Sequence, residues 1–159
     1  MKQPITTFII PSCGRDTLQR AIDSVGDNPY LVMIDDEKRG PAVLRNEMIQ
    51  KATTEWVSFL DDDDTVTSDY VQRLQEEIEA HPFVDIIHFR EYFLWGQVFP
   101  NWPKVEWGNV GISFSVRREI ALKYPFQTEE FEDLRFVERI TNEGYMIHFS
   151  PYITYHARH

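Results

Sequence analysis

Ten residues near the middle of the chain, Trp56-Val-Ser-Phe-Leu60-Asp61-Asp62-Asp63-Asp64-Thr65, constrain the fold more than any other stretch. A short apolar run followed at once by acid reads as a buried strand of an α/β sheet that delivers its last residues to the carboxyl edge, where such sheets bind ligands. Four adjacent aspartates repel one another and favour neither strand nor helix, so folding alone gives little reason for them. One ordinary use would be an acidic start to the helix near Ser68, since carboxylates suit the positive end of a helix dipole; a bound divalent cation is a stronger reason. An EF-hand loop is excluded, because counting from Asp61 the glycine position holds Val66 and the bidentate glutamate position holds Gln72. Hard oxygen ligands without adjacent Cys or His favour Mg²⁺ or Mn²⁺ over zinc, with a polyphosphate as the expected cargo.

A chain of 159 residues with 42% hydrophobic and 14% aromatic content has the makings of one globular domain over residues 1–159. Its net charge of -10 argues against an extended nucleic-acid footprint, which needs clustered Lys and Arg. Cys13 is the lone cysteine, the start Met1-Lys-Gln-Pro lacks a signal-peptide apolar stretch, and no run is long enough to span a bilayer. These features lead us to expect a cytoplasmic setting.

Along the chain, Ile5 to Ile10 reads as a first strand closed by Pro11. After the loop Pro11-Ser-Cys-Gly-Arg15, Asp16-Thr-Leu-Gln19 has capping-box form and opens a helix to about Val25. Neither GxGxxG nor GxxxxGK[ST] is present, so phosphates must be held some other way. Leu31 to Ile34 is a second strand, and it too runs into acid, at Asp35-Asp36. Gly40-Pro41 starts a helix to about Thr53 that carries Arg45-Asn46. Ser68 is placed to cap a helix through Ala80, and Val84 to Phe89 resumes the sheet. This alternation predicts a three-layer α/β/α sandwich around a mostly parallel sheet. The aromatic segment Tyr92 to Trp107 reads as core and edge packing bordering a cleft. Strand residues up to Val116, a short helix over 117–124, an acidic helix start at Glu129 to Asp133 and two short strands, 146–149 and 153–155, complete the order.

Taken together, Phe8-Ile-Ile-Pro-Ser12, Ile34-Asp-Asp36, Arg45-Asn46, Phe59-Leu-Asp-Asp-Asp-Asp64, Glu132-Asp133, Arg139 and a terminal Tyr-His-x-x-His resemble the family 2 glycosyltransferases of GT-A fold, from end to end. The resemblance implies that Pro11, Ser12, Asp35 and Asp36 grip nucleotide base and ribose, with Arg15 of the same first loop counted among the nucleotide-binding residues. It matches Arg45 to an arginine that helps hold the nucleotide, and a guanidinium suits phosphate or uracil oxygens. Asp61 to Asp63 match the DxD motif: Asp63 is the main metal ligand, while Asp61 and Asp62 serve the nucleotide, Asp61 through ribose or through metal-bound water. The implied chemistry moves a sugar from a nucleotide-diphosphate donor, UDP-linked by expectation, to an acceptor hydroxyl with inversion. A divalent ion, Mn²⁺ or Mg²⁺, stabilises the leaving diphosphate. Asp133 is the general base by the same resemblance. His156 and His159 compete to complete the metal site. The acceptor stays open among a glycan, a lipid-linked glycan and a hydroxylated base, and recognition of it by a partner is an option.

Two rival readings remain at this level. Phe59-Leu-Asp61-Asp-Asp63-Asp-Thr65-Val66 also fits the DxDxT motif of haloacid-dehalogenase-type phosphatases, with Asp61 as nucleophile, Asp63 as acid/base and Mg²⁺ as cofactor. That motif belongs on a first strand, and here two strands precede it. The non-enzymatic rival is a sugar-nucleotide-binding module that retains the fold without turnover.

Overall fold

The computed structural model describes residues 2–158. Strand β1 (Thr6–Ser12) is buried along its whole length. It pairs in parallel with β2 (Tyr30–Ile34) on one side and β3 (Trp56–Phe59) on the other. Helices α1 (Leu18–Val25) and α2 (Pro41–Lys51) make the two crossovers. The first crossover leads from β1 to β2 and the second back over β1 to β3, so right-handed connection puts α1 and α2 on opposite faces of the sheet. The strand runs past Pro11, which pairs with Met33 of β2. Pro11 lies beyond the last β1–β3 pair, Ile9 with Phe59, so no second ladder asks for the N–H it lacks.

Beyond β3 the sheet stops following chain order. The full order is β2-β1-β3-β7-β5-β8-β4, with β4 (Thr65–Val66), β5 (Ile86–Phe93), β7 (Phe114–Arg117) and β8 (Ile147–Ala157), and β6 (Val98–Phe99) paired to β5. Strand β7 is antiparallel to both β3 and β5, while β8 is parallel to β5. Five of the eight strands, β1, β2, β3, β5 and β8, therefore point one way, and β4, β6 and β7 are reversed. The expectation of a mostly parallel sheet holds, and the reversed strand β7 in its middle departs from it.

Strand alternation divides the core between the two faces. On one, Tyr70 of α3 (Tyr70–Ala80) packs on Phe8 and Phe89 with ring centroids 5.1 and 4.9 Å away. Its hydroxyl closes a buried chain through Ser115 and Ser58 to Thr6, at 2.9, 2.6 and 2.8 Å. Each hydroxyl of that chain has a partner, which is the condition for burying it cheaply. On the other face, Phe136 of α5 (Glu132–Asn142) stacks on Phe126 at 3.9 Å and packs against Phe59 and Phe114. Helix α4 (Arg118–Lys123) follows β7.

Several local expectations are corrected. Helix α1 begins at Leu18, and no side-chain cap forms from Asp16 or Thr17, because the Thr17 hydroxyl donates instead to the carbonyl of Asp62 at 2.8 Å. Helix α3 begins at Tyr70 with Asp69, not Ser68, in front of it. The two terminal strand pieces are one strand, β8, whose pairing with β5 shifts register between His88 and Glu91, an irregularity that absorbs Pro151.

Candidate active site

The carboxyl ends of β1, β2 and β3 open into a cleft of about 590 Å³ closed from the far side by α2 and the start of α5. Pro11, Ser12, Cys13 and Arg15 form one wall, Asp35 and Pro41 another, Asp61 to Asp63 the floor, and Arg45, Glu132 and Asp133 the back. The four successive aspartates do two different jobs. Asp62 and Asp64 are buried, whereas Asp61 and Asp63 are half-buried at the cleft.

Asp62 and Asp64 hold the backbone in place. Asp62 Oδ2 accepts from the Ser12 hydroxyl at 2.8 Å and the Cys13 N–H at 3.1 Å, tying the loop after β1 to the loop after β3. Asp64 accepts from the Tyr155 hydroxyl at 2.8 Å and the Arg158 N–H at 2.9 Å, and the same Tyr155 oxygen accepts from the Asp61 N–H at 3.1 Å. Burial, reinforced by repulsion from Asp61, pushes Asp64 up to about 6 against those two hydrogen bonds. The last strand thus supports the acidic loop through Tyr155 and Arg158. In the terminal motif it is Tyr155 and the backbone of Arg158 that reach the acidic loop, a role that no local pattern of the chain marks.

Arg45 organises the back of the cleft. Its side chain is 3% exposed, and it donates to Asp61 at 3.0 Å and to Glu132, and lies 3.5 Å from Asp133. Burial opposes its charge, but Asp61, Asp133 and Glu132 outweigh that and keep the guanidinium protonated. Asn46 beside it exchanges two hydrogen bonds with the backbone of Phe126, at 2.8 and 2.9 Å, which fixes the segment leading to α5. Asp133 pays for its position in a different way: burial pushes it up to about 7 despite Arg45, with Asp61 and Glu132 adding repulsion, and its Oδ1 has no hydrogen bond. Immediately before this pair, Phe131 adopts a left-handed conformation (φ 55°) and packs edge-on against Trp107. A non-glycine residue at such an angle costs on the order of 1 kcal/mol, so the turn that presents Glu132 and Asp133 is mildly strained.

At the front, Arg15, half-exposed, donates to Asp63 and lies 3.5 Å from Asp62. Asp35 accepts the N–H groups of Gly40 and Arg39, both at 2.8 Å, and these lower its pKa in that order. Of the residues singled out in the sequence, Pro11, Ser12, Arg15, Asp35, Arg45, Asp61, Asp62, Asp63 and Asp133 all line this cleft. Asp36 does not; it is exposed beyond Asp35, on the turn. His156 lies on β8 opposite Thr65 and faces a separate hollow with Arg20, Tyr92 and Arg158. His159 falls outside the described residues.

The donor chemistry suits a hard divalent ion held partly by a ligand. Asp61 and Asp63 offer carboxylate oxygens to the cleft, yet no three carboxylates or imidazoles of the cleft converge within 4.8 Å of one another among the described residues. Mg²⁺ and Mn²⁺ sites of this kind use one or two carboxylates plus substrate phosphates. The residues present fit that arrangement, with Asp63 and Asp61 as the protein's share.

This combination of fold and cleft defines a nucleotide-sugar transferase architecture of GT-A type. The family model "Glycosyl transferase family 2" matches residues 26–136, and the chain belongs to that family. The succinoglycan biosynthesis protein ExoO of Rhizobium meliloti (strain 1021) is 29% identical over 76 residues, covering 48% of this chain and 22% of that protein. Residues 1–349 of S. aureus TarS share the fold with a TM-score of 0.75 at 16% identity, over 96% of this chain and 60% of that one. The same TarS segment in complex with UDP-GlcNAc gives 0.72 at 14% identity, over 97% and 58%. The chain therefore spans less than two thirds of the length of these relatives. Family membership removes the phosphatase reading of Asp61 and Asp63. No helix among the described residues is long and apolar enough to cross a membrane.

Proposed function

We propose that the cleft transfers a sugar from a nucleotide-diphosphate donor, UDP-linked, to an acceptor hydroxyl with inversion, using Mn²⁺ or Mg²⁺. The observation that carries this reading is the buried Arg45, which gathers Asp61 from the acidic loop and Glu132-Asp133 from α5 at the back of one cleft. Ser12 and Asp35 line the walls that take the base and ribose. A divalent ion on Asp63, when bound, supplies positive charge to the departing diphosphate. Arg15, already paired to Asp63 and half-exposed, is free to turn toward the phosphates. Asp133 accepts the acceptor's proton: a carboxyl with its pKa lifted to about 7 is a competent base near neutral pH. TarS in complex with UDP-GlcNAc supports the choice of uridine. The acceptor is a hydroxyl of a glycan, a lipid-linked glycan or a hydroxylated base.

Thermal melts of the full chain with a panel of nucleoside diphosphates and sugar nucleotides, with and without Mn²⁺, test donor and metal together, because a ligand of the native state raises its apparent stability. Stabilisation by UDP and its sugars only with metal present is the expected result, and Asp63→Ala should abolish it. Metal-dependent stabilisation left unchanged in Asp63→Ala would remove that residue from the metal site. Binding of UDP without transfer across an acceptor panel would favour a non-catalytic module.

A further inference from the structure

A second cluster of ligating side chains lies on α3 and β8, and none of its members lines the cleft. Glu77 sits on the inner side of α3, 7% exposed. His81 follows one helical turn later and His148 is the second residue of β8, paired with Ile87. Their ligand atoms lie within 4.8 Å of one another. Glu77 Oε2 is 2.5 Å from His148 Nε2 and 3.7 Å from His81 Nε2.

Packing alone explains this arrangement poorly. Glu77 Oε2 and His148 Nε2 are both buried and neither makes a hydrogen bond of acceptable geometry, although they face each other. The two imidazoles stack with centroids 3.8 Å apart, an arrangement that would bring like charges together if both were protonated. A metal ion answers both difficulties by satisfying the orphaned atoms and keeping the rings neutral. Zinc bonds of about 2.0–2.2 Å in tetrahedral geometry put ligand atoms roughly 3.3–3.5 Å apart. The Glu77–His81 separation of 3.7 Å lies close to that range, and the Glu77–His148 contact of 2.5 Å opens by about 1 Å to admit the ion. Two imidazole nitrogens and one carboxylate suit zinc, whereas Mg²⁺ and Ca²⁺ prefer oxygen throughout.

We propose that Glu77, His81 and His148 form a zinc site, separate from the cleft, that clamps the end of α3 to the start of β8. Water completes the fourth position. Strand β8 is anchored at its far end by Tyr155 and Arg158, which hold Asp64. The zinc site anchors its near end, so the strand supporting the acidic loop is tied down at both ends.

The test uses the full chain stripped of metal by a chelator, then titrated with ZnCl₂ by calorimetry, with metal content per chain measured after gel filtration. One zinc per chain, a zinc-dependent rise in Tm and visible d–d absorption on Co²⁺ substitution are expected. All three should be lost in His81→Gln and His148→Gln and kept in Asp63→Asn and His156→Gln, which alter the cleft and the other hollow. His81 is the more exposed of the two histidines, so His81→Gln, checked for native circular dichroism, decides the matter should His148→Gln fail to fold. No zinc retained by the full chain, or one equivalent bound equally by both histidine variants, would overturn the proposal and leave a histidine–glutamate ion pair.

Discussion

Two arginines face the same run of aspartates and are held in opposite ways. The Arg45 side chain is 3% exposed and meets three carboxylates drawn from two distant parts of the chain. That of Arg15 is 49% exposed and meets Asp62 and Asp63 from the solvent side. The first is a fixed part of the site, since any departure would strand buried charge. The second is a counter-charge that a phosphate or a metal ion can displace at little cost. The inner half of the cleft is thus preorganised, and the outer half is left to respond to ligand.

Breaking the inner half should have the largest effect. Arg45→Met leaves Asp61, Glu132 and Asp133 facing one another without a cation, and removing one partner of a buried ion pair costs about 3–5 kcal/mol. A chemical-denaturation midpoint should fall accordingly, and transfer should be lost. A midpoint within experimental error of the parent would show that the three acids do not depend on the guanidinium.

Asp133→Asn changes chemistry and spares donor binding. It is expected to lower turnover by about 10²–10⁴-fold, the usual contribution of a general base. In the parent, turnover should rise with pH to about 7 and then level, because the base works only when deprotonated. A variant that turns over normally, or a flat profile from pH 5 to 8, would end the assignment of Asp133.

Glu91 sharpens the comparison because it is a buried acid with no arginine. Burial pushes it up to about 8, with repulsion from Asp133 and Asp64 adding to the effect, while Ser113 donates to it. The folded state therefore prefers the protonated form. The stability this group contributes is full below its ordinary value of 4.5 and is lost as pH rises through about 8. Relative to the parent, Glu91→Gln should become more stable as pH rises from 5 to 9, at no more than about 1.4 kcal/mol per pH unit. Urea midpoints at the two ends of that range give the answer, and an unchanged difference would mean that the carboxyl is not held neutral.

The smallest effect belongs to Arg15→Ala. A half-exposed ion pair is worth about 0–1 kcal/mol, so Tm should barely move. Affinity for UDP with Mn²⁺ is the informative readout: it should fall if Arg15 turns to the phosphates, and rise if Arg15 merely competes with the metal for Asp63.

Much of this architecture was legible along the chain. Each of the first three strands ends in the loop the site uses, and Gly40-Pro41 starts α2 where it was expected. Other features were hidden because they depend on partners remote in sequence. Asp62 and Asp64 look like Asp61 and Asp63 until Ser12, Cys13, Tyr155 and Arg158 are seen to hold them. The capping box at Asp16 is a sound local signal overridden by a tertiary one, since Thr17 is drawn to Asp62. Glu77, His81 and His148 gave no motif, because the last lies on a strand distant in sequence from α3.

By itself the sequence determined the kind of sheet, the acid at its carboxyl edge and the family resemblance, because hydrophobic period and turn chemistry are local properties of the chain. Only the tertiary structure decided which carboxylates are pinned and which face the cleft, that Arg45 is buried among them, and that β8 runs beside β5. Those outcomes depend on where distant segments meet. Charge and burial act through distance in space, which the order of residues does not record.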